Sequence, residues 1–593
     1  MHDDAKARMT PVSHPRRRLP TLDSSWLLSW PDRGSPWVHR AVLMLIGLWA
    51  FFHHLDMSLM EGSEGLYAQI AREMVAAQRY FALMFHGEPY INKPPMFFWL
   101  LGVMREWFGE SETALRLPGA IGSLGTMWLT YALGCRLFSR MAGFWAAVVV
   151  GTTHVFLWYG RRVLFDSTLT FAMTLAVFAW IRAAMQAGWP GWYVVAFVAM
   201  AVGGMIKSIH AFAMPFAIMV IYAFWQRDYR ALRSPVFWSG FVMYWLLTGW
   251  YASWLPEGMQ WQFDIHAAIQ RAFGNFSASE ASTSRLLRLH WYLSMMWFDF
   301  FPWSALIPAS TLLLALSPAS ALRPVSRFLL LWFWGYIAML SVSLFKREPY
   351  LMPLVPALGL MVGYTYQAVA VGLETRRWLA ATIRVMLALL ALVFGAALFV
   401  GPYLLQRKWH VPFPPFPFIY TTAMMVMSLV LFWSAVTARA RLALATVGVL
   451  AFGFVIGVVD VIWPMLDRFA PRAVNAEVRR IAAQCHRPVF YHGITQEDFI
   501  FYLNSSPAIP RLTSKDDVRE RLGRHRQILL VTDYRYAKMF AEDHSVIVRI
   551  LRTFPRPKDR DFYLLSLQLA SSKESEEFSG LERKRTADRF LRV

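Results

Sequence analysis

The sequence predicts an all-α polytopic membrane protein with about 13 transmembrane helices and a small C-terminal α/β domain. Hydrophobic residues make up 56% of its 593 positions and charged residues only 16%, whereas an ordinary soluble protein carries about 25% charged residues. Apolar runs of about 18 residues or more, long enough to cross a bilayer as a helix, recur from residue 41 to residue 465. After residue 465 the pattern changes to short apolar runs between polar segments.

Thirteen apolar segments are predicted to cross the membrane, at residues 41–58, 116–138, 142–160, 166–184, 190–206, 209–226, 235–255, 291–316, 328–345, 351–372, 380–404, 416–436 and 443–465. Alternate loops between them carry arginines on the same side as the arginine-rich N-terminus, as the positive-inside rule requires. These are Arg136, Arg140, Arg182, Arg227, Arg230, Arg233, Arg323, Arg327, Arg376, Arg377, Arg439 and Arg441. The segment 95–109 is expected to lie along the surface, because a span there would invert every later loop.

Four regions follow from these patterns. Residues 1–40 are predicted to be a cytoplasmic arm, and residues 41–465 a transmembrane domain whose first outer loop, 59–115, carries amphipathic helices. Residues 466–570 are predicted to form a periplasmic α/β domain, and residues 571–593 a disordered tail of mixed charge. Within the α/β domain, strands are expected in PVFYHG, QILLVTDY, VIVRILRTF and DFYLLSLQ, and helices in AVNAEVRRIAAQ and KDDVRERL.

Composition also limits the function. The formal charge of +21 would suggest nucleic-acid binding in a soluble protein. Here most Lys and Arg residues lie in short loops between spans, where they set topology, so no nucleic-acid partner is predicted. The two cysteines, Cys135 and Cys485, fall in a predicted span and in the C-terminal region, and the sequence therefore implies no disulfide framework.

Two acids lie on the predicted outer side of the membrane. Glu64 begins the amphipathic stretch EGLYAQIAREM after the first span, and Asp166 opens a later span in YGRRVLFDSTLTF. Taken singly, Glu64 could be a solvated acid and Asp166 a helix N-cap. Taken together, they are candidate catalytic acids, because a carboxylate can deprotonate an attacking acceptor group.

Cations accompany these acids on the same side. The candidate phosphate-binding residues are Lys93, Arg161, Arg162, Lys207, Arg271, Lys346 and Arg347, with Tyr67 and Tyr350 in the same motifs. The stretch KREPY could also be a hydrated loop. Cations near a membrane are costly unless they are paired, so their accumulation predicts an anionic ligand. Acids beside phosphate-binding cations predict group transfer from a phosphate leaving group.

The order of these motifs resembles the bacterial lipid A 4-amino-4-deoxy-L-arabinose transferases, which are relatives of the protein O-mannosyltransferases. The family reads D-E-x-x-Y-A-x-I-x-R-E-M where this chain has SEGLYAQIAREM, and its K-P, L-D and K-x-P-x-Y-x-L-P elements are matched by NKPP, LFD and KREPYLMPLVP. IKSIH echoes a K-G-P element loosely, and HWYLSMMWFDFFPWS resembles H-x-x-P-x-Y-Y…P-W. The likeness covers roughly residues 40–370, with the motifs in the same order.

The resemblance implies the GT-C membrane fold and a multi-pass enzyme of the bacterial inner membrane. Such an enzyme moves a sugar from a polyprenyl-phosphate donor to a lipid A-like, glycan or protein acceptor at the periplasmic face, without a nucleotide cofactor. It implies catalytic roles for Asp166 and Glu64 and donor binding by the outer cations and the two tyrosines. The amphipathic helices of the first outer loop would lie along the membrane and roof the donor cavity.

This chain departs from the family's pattern in its first outer loop. Ser63 replaces the first acid of the D-E pair, so either Glu64 takes over its role or Asp166 acts with less help. Asp166 is expected to be the acid most needed, with Glu64 orienting the acceptor or sharing the base role. Asn92 replaces an acid that, in some relatives, joins a histidine in binding a divalent metal. The corresponding histidine, His290, is present, but its ligand set is incomplete, and no metal site is predicted. Asn92 and His290 are candidate acceptor or loop residues.

A transporter or flippase of a lipid-linked anion is the alternative to an enzyme. A transporter of this size would carry ionisable residues near the middle of several spans and often paired internal repeats. In this sequence the charges collect at span ends on one face and no repeat is evident, which favours the enzyme.

Overall fold

The computed structural model describes most of the chain between residues 34 and 569. The described residues are 34–59, 62–185, 189–257, 259, 290–316, 322–343, 346–372, 377–409, 415–467, 471–494, 501–503, 509–543, 545–554 and 561–569. Three predictions fall outside them: most of the N-terminal arm, the tail from residue 571 and the role of Arg271.

Helices dominate the first four-fifths of the chain. They are α1 (Pro36–Phe52), α2 (Gly62–Ala77), α3 (Met96–Phe108), α4 (Glu112–Leu137), α5 (Arg140–Thr152), α6 (His154–Tyr159), α7 (Asp166–Ala184), α8 (Trp192–Ile206), α9 (His210–Gln226), α10 (Pro235–Ser253), α11 (Trp291–Asp299), α12 (Ile307–Ala315), α13 (Arg323–Leu330), α14 (Tyr336–Val342), α15 (Val355–Ala370), α16 (Arg377–Trp409), α17 (Phe418–Val436), α18 (Ala440–Ile456) and α19 (Trp463–Asp467). Two 3₁₀ segments, Trp303–Leu306 and Glu348–Leu354, and two π-helical segments, Leu331–Gly335 and Gly457–Ile462, join some of them.

A helix occupies all or part of each of the thirteen predicted apolar segments. By length and composition, five of the described helical stretches could cross a membrane. The number is six if Trp291–Asp299 and Trp303–Ala315, bent by 116° at their junction, form one broken span. Shorter apolar helices such as α1 and α9 add further candidates. The multi-helix membrane architecture is thus present, and the count of thirteen spans stays a prediction.

The first outer loop forms two helices, α2 and α3, as its amphipathic pattern predicts. Helix α3 has 13 residues, which makes it about 20 Å long, shorter than the hydrocarbon core of about 30 Å. One side of α3 is buried, with Phe97, Phe98 and Leu101 in the core, while Trp107 and Phe108 are exposed. This length favours the predicted placement along the membrane surface.

Small residues bring the central helices together. On α15, a Cβ added at Gly363 would lie 2.2 Å from the Ala142 carbonyl oxygen, and one added at Gly359 would lie 2.6 Å from the Ala146 carbonyl oxygen. The two glycines are four residues apart, and so are the two alanines of α5, so one small-residue stripe faces another. The glycines therefore allow α5 and α15 to pack in direct backbone contact.

The C-terminal region contains helix α20 (Pro471–Cys485), strands β3 (Val489–His492) and β4 (Arg511–Leu512), helix α21 (Lys515–His525), strand β5 (Gln527–Asp533), helix α22 (Tyr534–Ala541), and strands β6 (Val546–Phe554) and β7 (Phe562–Leu569). A short hairpin, β1 (Met84–Phe85) and β2 (Glu88–Pro89), lies in the first outer loop. The five C-terminal strands form one sheet in the order β4-β3-β5-β7-β6. Strand β3 is parallel to β4 and β5, whereas β7 is antiparallel to β5 and β6. The four strands expected from the sequence are therefore present.

The C-terminal region contacts the first outer loop through hydrogen bonds between polar groups. The Tyr502 hydroxyl donates to Glu112 Oε1 at 2.9 Å and accepts the Leu59 backbone N–H at 2.9 Å. Arg472 donates to the same Glu112 oxygen at 3.1 Å. These bonds join the segment after α1 and the start of α4 to the chain that follows the last membrane helix.

Candidate active site

Glu64 and Arg116 form a buried ion pair at the start of α2. The Arg116 Nε donates to Glu64 Oε1 at 3.1 Å, and neither side chain is exposed by more than 1%. The other guanidinium nitrogens of Arg116 donate to the backbone carbonyls of Leu55, Met57 and Ser58. Arg116 therefore fastens both α2 and the chain leaving α1 to helix α4.

Glu64 also holds the loop that precedes Asp166. Its Oε1 accepts the backbone N–H of Val163 at 3.0 Å. Burial alone would raise the pKa of Glu64, but the guanidinium groups of Arg116 and Arg162 and these hydrogen bonds lower it below its ordinary value. Glu64 is thus a buried, ion-paired carboxylate, and the alternative that it is a solvated acid is wrong.

Asp166 is the first residue of α7 and pairs with Lys207, which directly follows α8. Lys207 Nζ lies 2.6 Å from Asp166 Oδ1, with the two side chains only 10% and 7% exposed. The residue in the N-cap position is Phe165, and Asp166 lies one residue further on. The alternative that Asp166 is the helix N-cap is therefore wrong, because Asp166 is the first helical residue; its carboxylate pairs instead with the cation that follows α8.

Aromatic rings surround this pair. Lys207 Nζ lies 4.2 Å from the centre of the Tyr350 ring and 4.8 Å from that of Phe165. Lys93 Nζ lies 5.3 Å from the centre of the same Phe165 ring. Tyr67 packs against Phe165 at 5.4 Å between ring centres. The structure thus brings together Asp166 and four predicted donor-binding residues from four separate parts of the sequence.

Lys346 and Arg347 make hydrogen bonds to the end of α14 and to Tyr292. Lys346 Nζ donates to the carbonyls of Ser341 at 2.7 Å and Ser343 at 2.9 Å, and more weakly to that of Leu340 at 3.3 Å. These carbonyls lie at the C-terminal end of α14, where the helix dipole favours a cation. The backbone N–H of Arg347 donates to the Tyr292 hydroxyl at 3.2 Å. Lys346 therefore has a capping contact that the sequence did not indicate.

Arg161 and Arg162 are buried beside Trp463. Arg161 is 0% exposed, and none of its guanidinium nitrogens has a hydrogen-bond partner among the described residues. Burial, followed by repulsion from Arg116, lowers the pKa of Arg161 to about 9. Arg162 lies over the rings of Trp158 and Trp463, at 4.4 and 5.0 Å. A buried guanidinium without an acceptor favours the binding of an anion nearby.

Asn92 and His290 are both exposed. Neither belongs to the single group of three potential metal-ligand side chains found within the described part of the chain. Asn92 offers an amide in place of a carboxylate, and the expectation that these two residues hold no metal stays a prediction.

Sequence reasoning missed several neighbours of the site. Phe165 contacts Lys93, Lys207 and Tyr67. Its position directly before Asp166 was the only feature of the sequence that indicated a place in the site. His210 lies within electrostatic range of Lys93 and Lys207, and its Nδ1 is 2.8 Å from Ser208 Oγ. Because His210 follows Lys207 by three residues, the sequence could have indicated that His210 lies near this site.

Parts of the chain are similar in sequence to a known protein family and to several curated proteins. The family model described as dolichyl-phosphate-mannose-protein mannosyltransferase matches residues 92–254. The undecaprenyl phosphate-alpha-4-amino-4-deoxy-L-arabinose arabinosyl transferase 1 of Pseudomonas fluorescens is 27% identical over 340 residues, 56% of this chain and 59% of that protein. An uncharacterized protein of Aquifex aeolicus is 25% identical over 191 residues, 32% of this chain and 38% of that protein. These matches span only 38–59% of the relatives' lengths.

Solved structures extend the likeness to almost the whole chain. The crystal structure of ArnT from Cupriavidus metallidurans bound to undecaprenyl phosphate has a TM-score of 0.65 and 21% identity, covering 90% of this chain and 98% of that one. The structure of the same protein in the apo state has a TM-score of 0.64 and 20% identity, covering 89% of this chain and 97% of that one. The chain therefore shares the fold of that protein, which confirms the helical GT-C architecture. The resemblance expected from the motifs is confirmed as well.

Proposed function

We propose that this chain is an integral membrane glycosyltransferase that moves a sugar from a polyprenyl-phosphate donor to a lipid, glycan or protein acceptor. The observation that carries the proposal is the buried Asp166–Lys207 pair, 2.6 Å apart. Lys93 and Lys207 both lie over the Phe165 ring, and Tyr350 lies against Lys207. The names of the matched relatives and the undecaprenyl phosphate of the related structure support this donor class.

In the proposed reaction, an acceptor hydroxyl or amine attacks the sugar carbon that carries the phosphate. Asp166 takes the proton from the acceptor as the new bond forms. The bond between the sugar carbon and the phosphate oxygen breaks, and the polyprenyl phosphate leaves with the electron pair. Lys93 and Lys207 stabilise the charge that develops on this leaving group.

Lys207 has a double role in this scheme. Its ammonium group pairs with Asp166 at 2.6 Å before the donor binds. A donor phosphate beside Lys207 competes for the same ammonium hydrogens, and this weakens its hold on the carboxylate. Asp166 then becomes a better proton acceptor when the donor is in place, so base and leaving-group stabilisation are coupled through one cation.

Glu64 supports Asp166 by holding the intervening loop. Its oxygens accept from Arg116 and from the Val163 N–H, three residues before Asp166. In this proposal Glu64 is a positioning residue for the catalytic base, and its charge also offsets that of Arg162.

The acceptor and the membrane orientation belong to the same proposal. The order of the motifs implies a lipid A-like, glycan or protein acceptor. The loop arginines favour a cytoplasmic N-terminus and a periplasmic C-terminal region. A phosphatase fused after Val593 should therefore be active and a fluorescent protein fused there dark, whereas a fluorescent, phosphatase-negative fusion would reverse the orientation.

The function can be tested by comparing a strain that lacks this chain with its parent. Mass spectrometry of lipid A, other glycolipids and periplasmic proteins should reveal one class that loses the mass of a single sugar. The sugar should return when the chain is supplied from a plasmid, and purified chain should transfer it from the polyprenyl phosphate. Unchanged spectra in all three fractions would contradict the proposal.

Replacing Lys93 with Ala should weaken donor binding by about 1.5–3 kcal/mol, the range of a charge-assisted hydrogen bond, or roughly tenfold to a hundredfold in Kd. Binding of polyprenyl phosphate to purified protein measures the effect. Lys515→Ala removes an exposed Lys in the C-terminal region and is the matched control. Lys346→Ala and Arg347→Ala should also weaken binding, with an added loss of stability for Lys346, which caps α14. Parental affinity in all three variants would place the phosphate elsewhere.

A further inference from the structure

Three potential metal ligands meet where the chain leaves α1 and where the last membrane helix is interrupted. They are His53, His54 and Asp460, and one ligand atom from each lies within 4.8 Å of the others. We propose that these residues bind a divalent transition metal, with Zn²⁺ as the preferred ion. Two neutral imidazoles and one carboxylate are a ligand set that Zn²⁺ takes in open sites. This proposal is independent of the transferase function.

The distances fit a shared ion better than a set of hydrogen bonds. His53 Nε2 lies 3.1 Å and His54 Nε2 3.6 Å from the same oxygen, Asp460 Oδ1. Two ligands bound tetrahedrally to Zn²⁺ at about 2.0–2.1 Å are about 3.3 Å apart, which lies between these two values. A hydrogen bond explains the contact of His53 alone, because 3.6 Å is too long for one.

The second carboxylate oxygen is held by α1. Trp49 Nε1 donates to Asp460 Oδ2 at 3.1 Å, and Trp49 lies one helical turn before His53. This bond fixes the carboxylate plane and leaves Oδ1 directed at the two imidazoles. Metal-binding carboxylates are commonly oriented by such outer hydrogen bonds.

The backbone departs from regular helix at both sides of the site. Helix α1 ends at Phe52, and His54 has a φ of 56°, an uncommon value for a residue with a side chain. That turn places the two imidazole rings 4.0 Å apart between their centres. Asp460 lies in the π-helical segment Gly457–Ile462, and π-helical insertions are frequent at functional sites. Two separate irregularities thus bring the three side chains to one point.

Exposure and charge allow a bound cation. The side chains of His53, His54 and Asp460 are 46%, 36% and 23% exposed, so water can complete the coordination. The cation of Arg161 acts electrostatically on both His54 and Asp460 and opposes a metal. The carboxylate of Asp56 acts on His54 and Arg161 and offsets part of this repulsion. We therefore expect an affinity below that of a closed four-ligand zinc site.

A metal here would join residues that are about 400 positions apart in the sequence. It would tie the end of α1 to the last membrane helix, close to the segment that leads to the C-terminal region. Its expected effect is to raise the unfolding temperature, since a ligand that binds only the folded state stabilises it.

The test uses the purified full chain, freed of any histidine tag and treated with a chelator. Zn²⁺ alone is titrated against a chromogenic chelator, and retained zinc is counted by mass spectrometry after desalting. We expect one equivalent per chain and a higher unfolding temperature with Zn²⁺. His54→Gln and Asp460→Asn should each weaken binding about a hundredfold, and Trp49→Phe about tenfold.

Two controls separate this site from other histidines. His486→Ala removes an exposed histidine of the C-terminal region, and His290→Ala removes the histidine that corresponds to a metal ligand in some relatives. Both should bind zinc like the parent. Loss of zinc in His290→Ala would assign the metal to that residue, and parental binding by His54→Gln or Asp460→Asn would overturn the proposal. Should Asp460→Asn fail to fold, His54→Gln and Trp49→Phe decide the outcome.

Discussion

Replacing Asp166 with Asn should reduce sugar transfer at least about a hundredfold, because general-base assistance typically contributes 10²–10⁴-fold. The amide keeps the shape of the carboxylate but cannot take the acceptor's proton. Donor binding should not weaken, since Lys93 and Lys207 are still present and the amide competes less with the phosphate for Lys207. Single-turnover transfer with purified chain and polyprenyl-phosphate sugar separates the chemical step from binding.

The matched control is Asp228→Asn, which removes another helix-end acid that is ion-paired, in this case with Arg230. It should transfer sugar at the parental rate. Asp166→Glu should retain part of the activity if a carboxylate is what matters, whereas a purely structural role for Asp166 would lower the unfolding temperature and the rate together. Near-parental turnover by Asp166→Asn would leave Glu64 or another acid as the base.

Replacing Arg116 with Met should cost the folded protein about 3–5 kcal/mol, because removal of one partner leaves a buried, uncompensated charge on Glu64. The same change frees the carbonyls of Leu55, Met57 and Ser58 from their donor. The unfolding temperature of the detergent-purified protein measures the effect. Arg105→Met is the control, because Arg105 pairs with Glu110, which is more exposed.

The double variant Glu64→Gln with Arg116→Met should recover part of this loss, since no buried charge then stays unpaired. Glu64→Gln alone separates two roles for that acid. A positioning role predicts a lower rate together with a lower unfolding temperature, and partial activity in Glu64→Asp, which keeps a carboxylate at this position. Glu64→Gln lowers the unfolding temperature in either role, because it leaves Arg116 without its partner. A role as the base predicts in addition that transfer falls at least about a hundredfold at a temperature where the variant is fully folded. An Arg116→Met protein as stable as its parent would show that the ion pair contributes little.

The sequence by itself determined the class of fold. Lipid leaves only helices and closed barrels as spanning structures, and apolar segments of about 18 residues or more select helices. Length and hydrophobicity were therefore enough to place helices such as Asp166–Ala184 at their observed bounds. Short apolar runs between polar segments likewise located strands such as Gln527–Asp533. Ordered motifs identified Asp166, Lys93 and Tyr350 as members of one site, because the order of residue types along a chain can be compared with a family without any three-dimensional distances.

Only the tertiary structure decided which groups meet. Glu64 pairs with a residue 52 positions away, Asp166 with one 41 positions away, and Asp460 with His53 at the other end of the membrane domain. Periodicity reports which face of a helix is apolar, but it carries no information on which helix lies opposite. That is set by close packing of small residues, as between Gly363 and Ala142, where a single methyl group would separate the helices. Side-chain pairing in a membrane protein therefore follows from packing between distant segments, which local sequence does not encode.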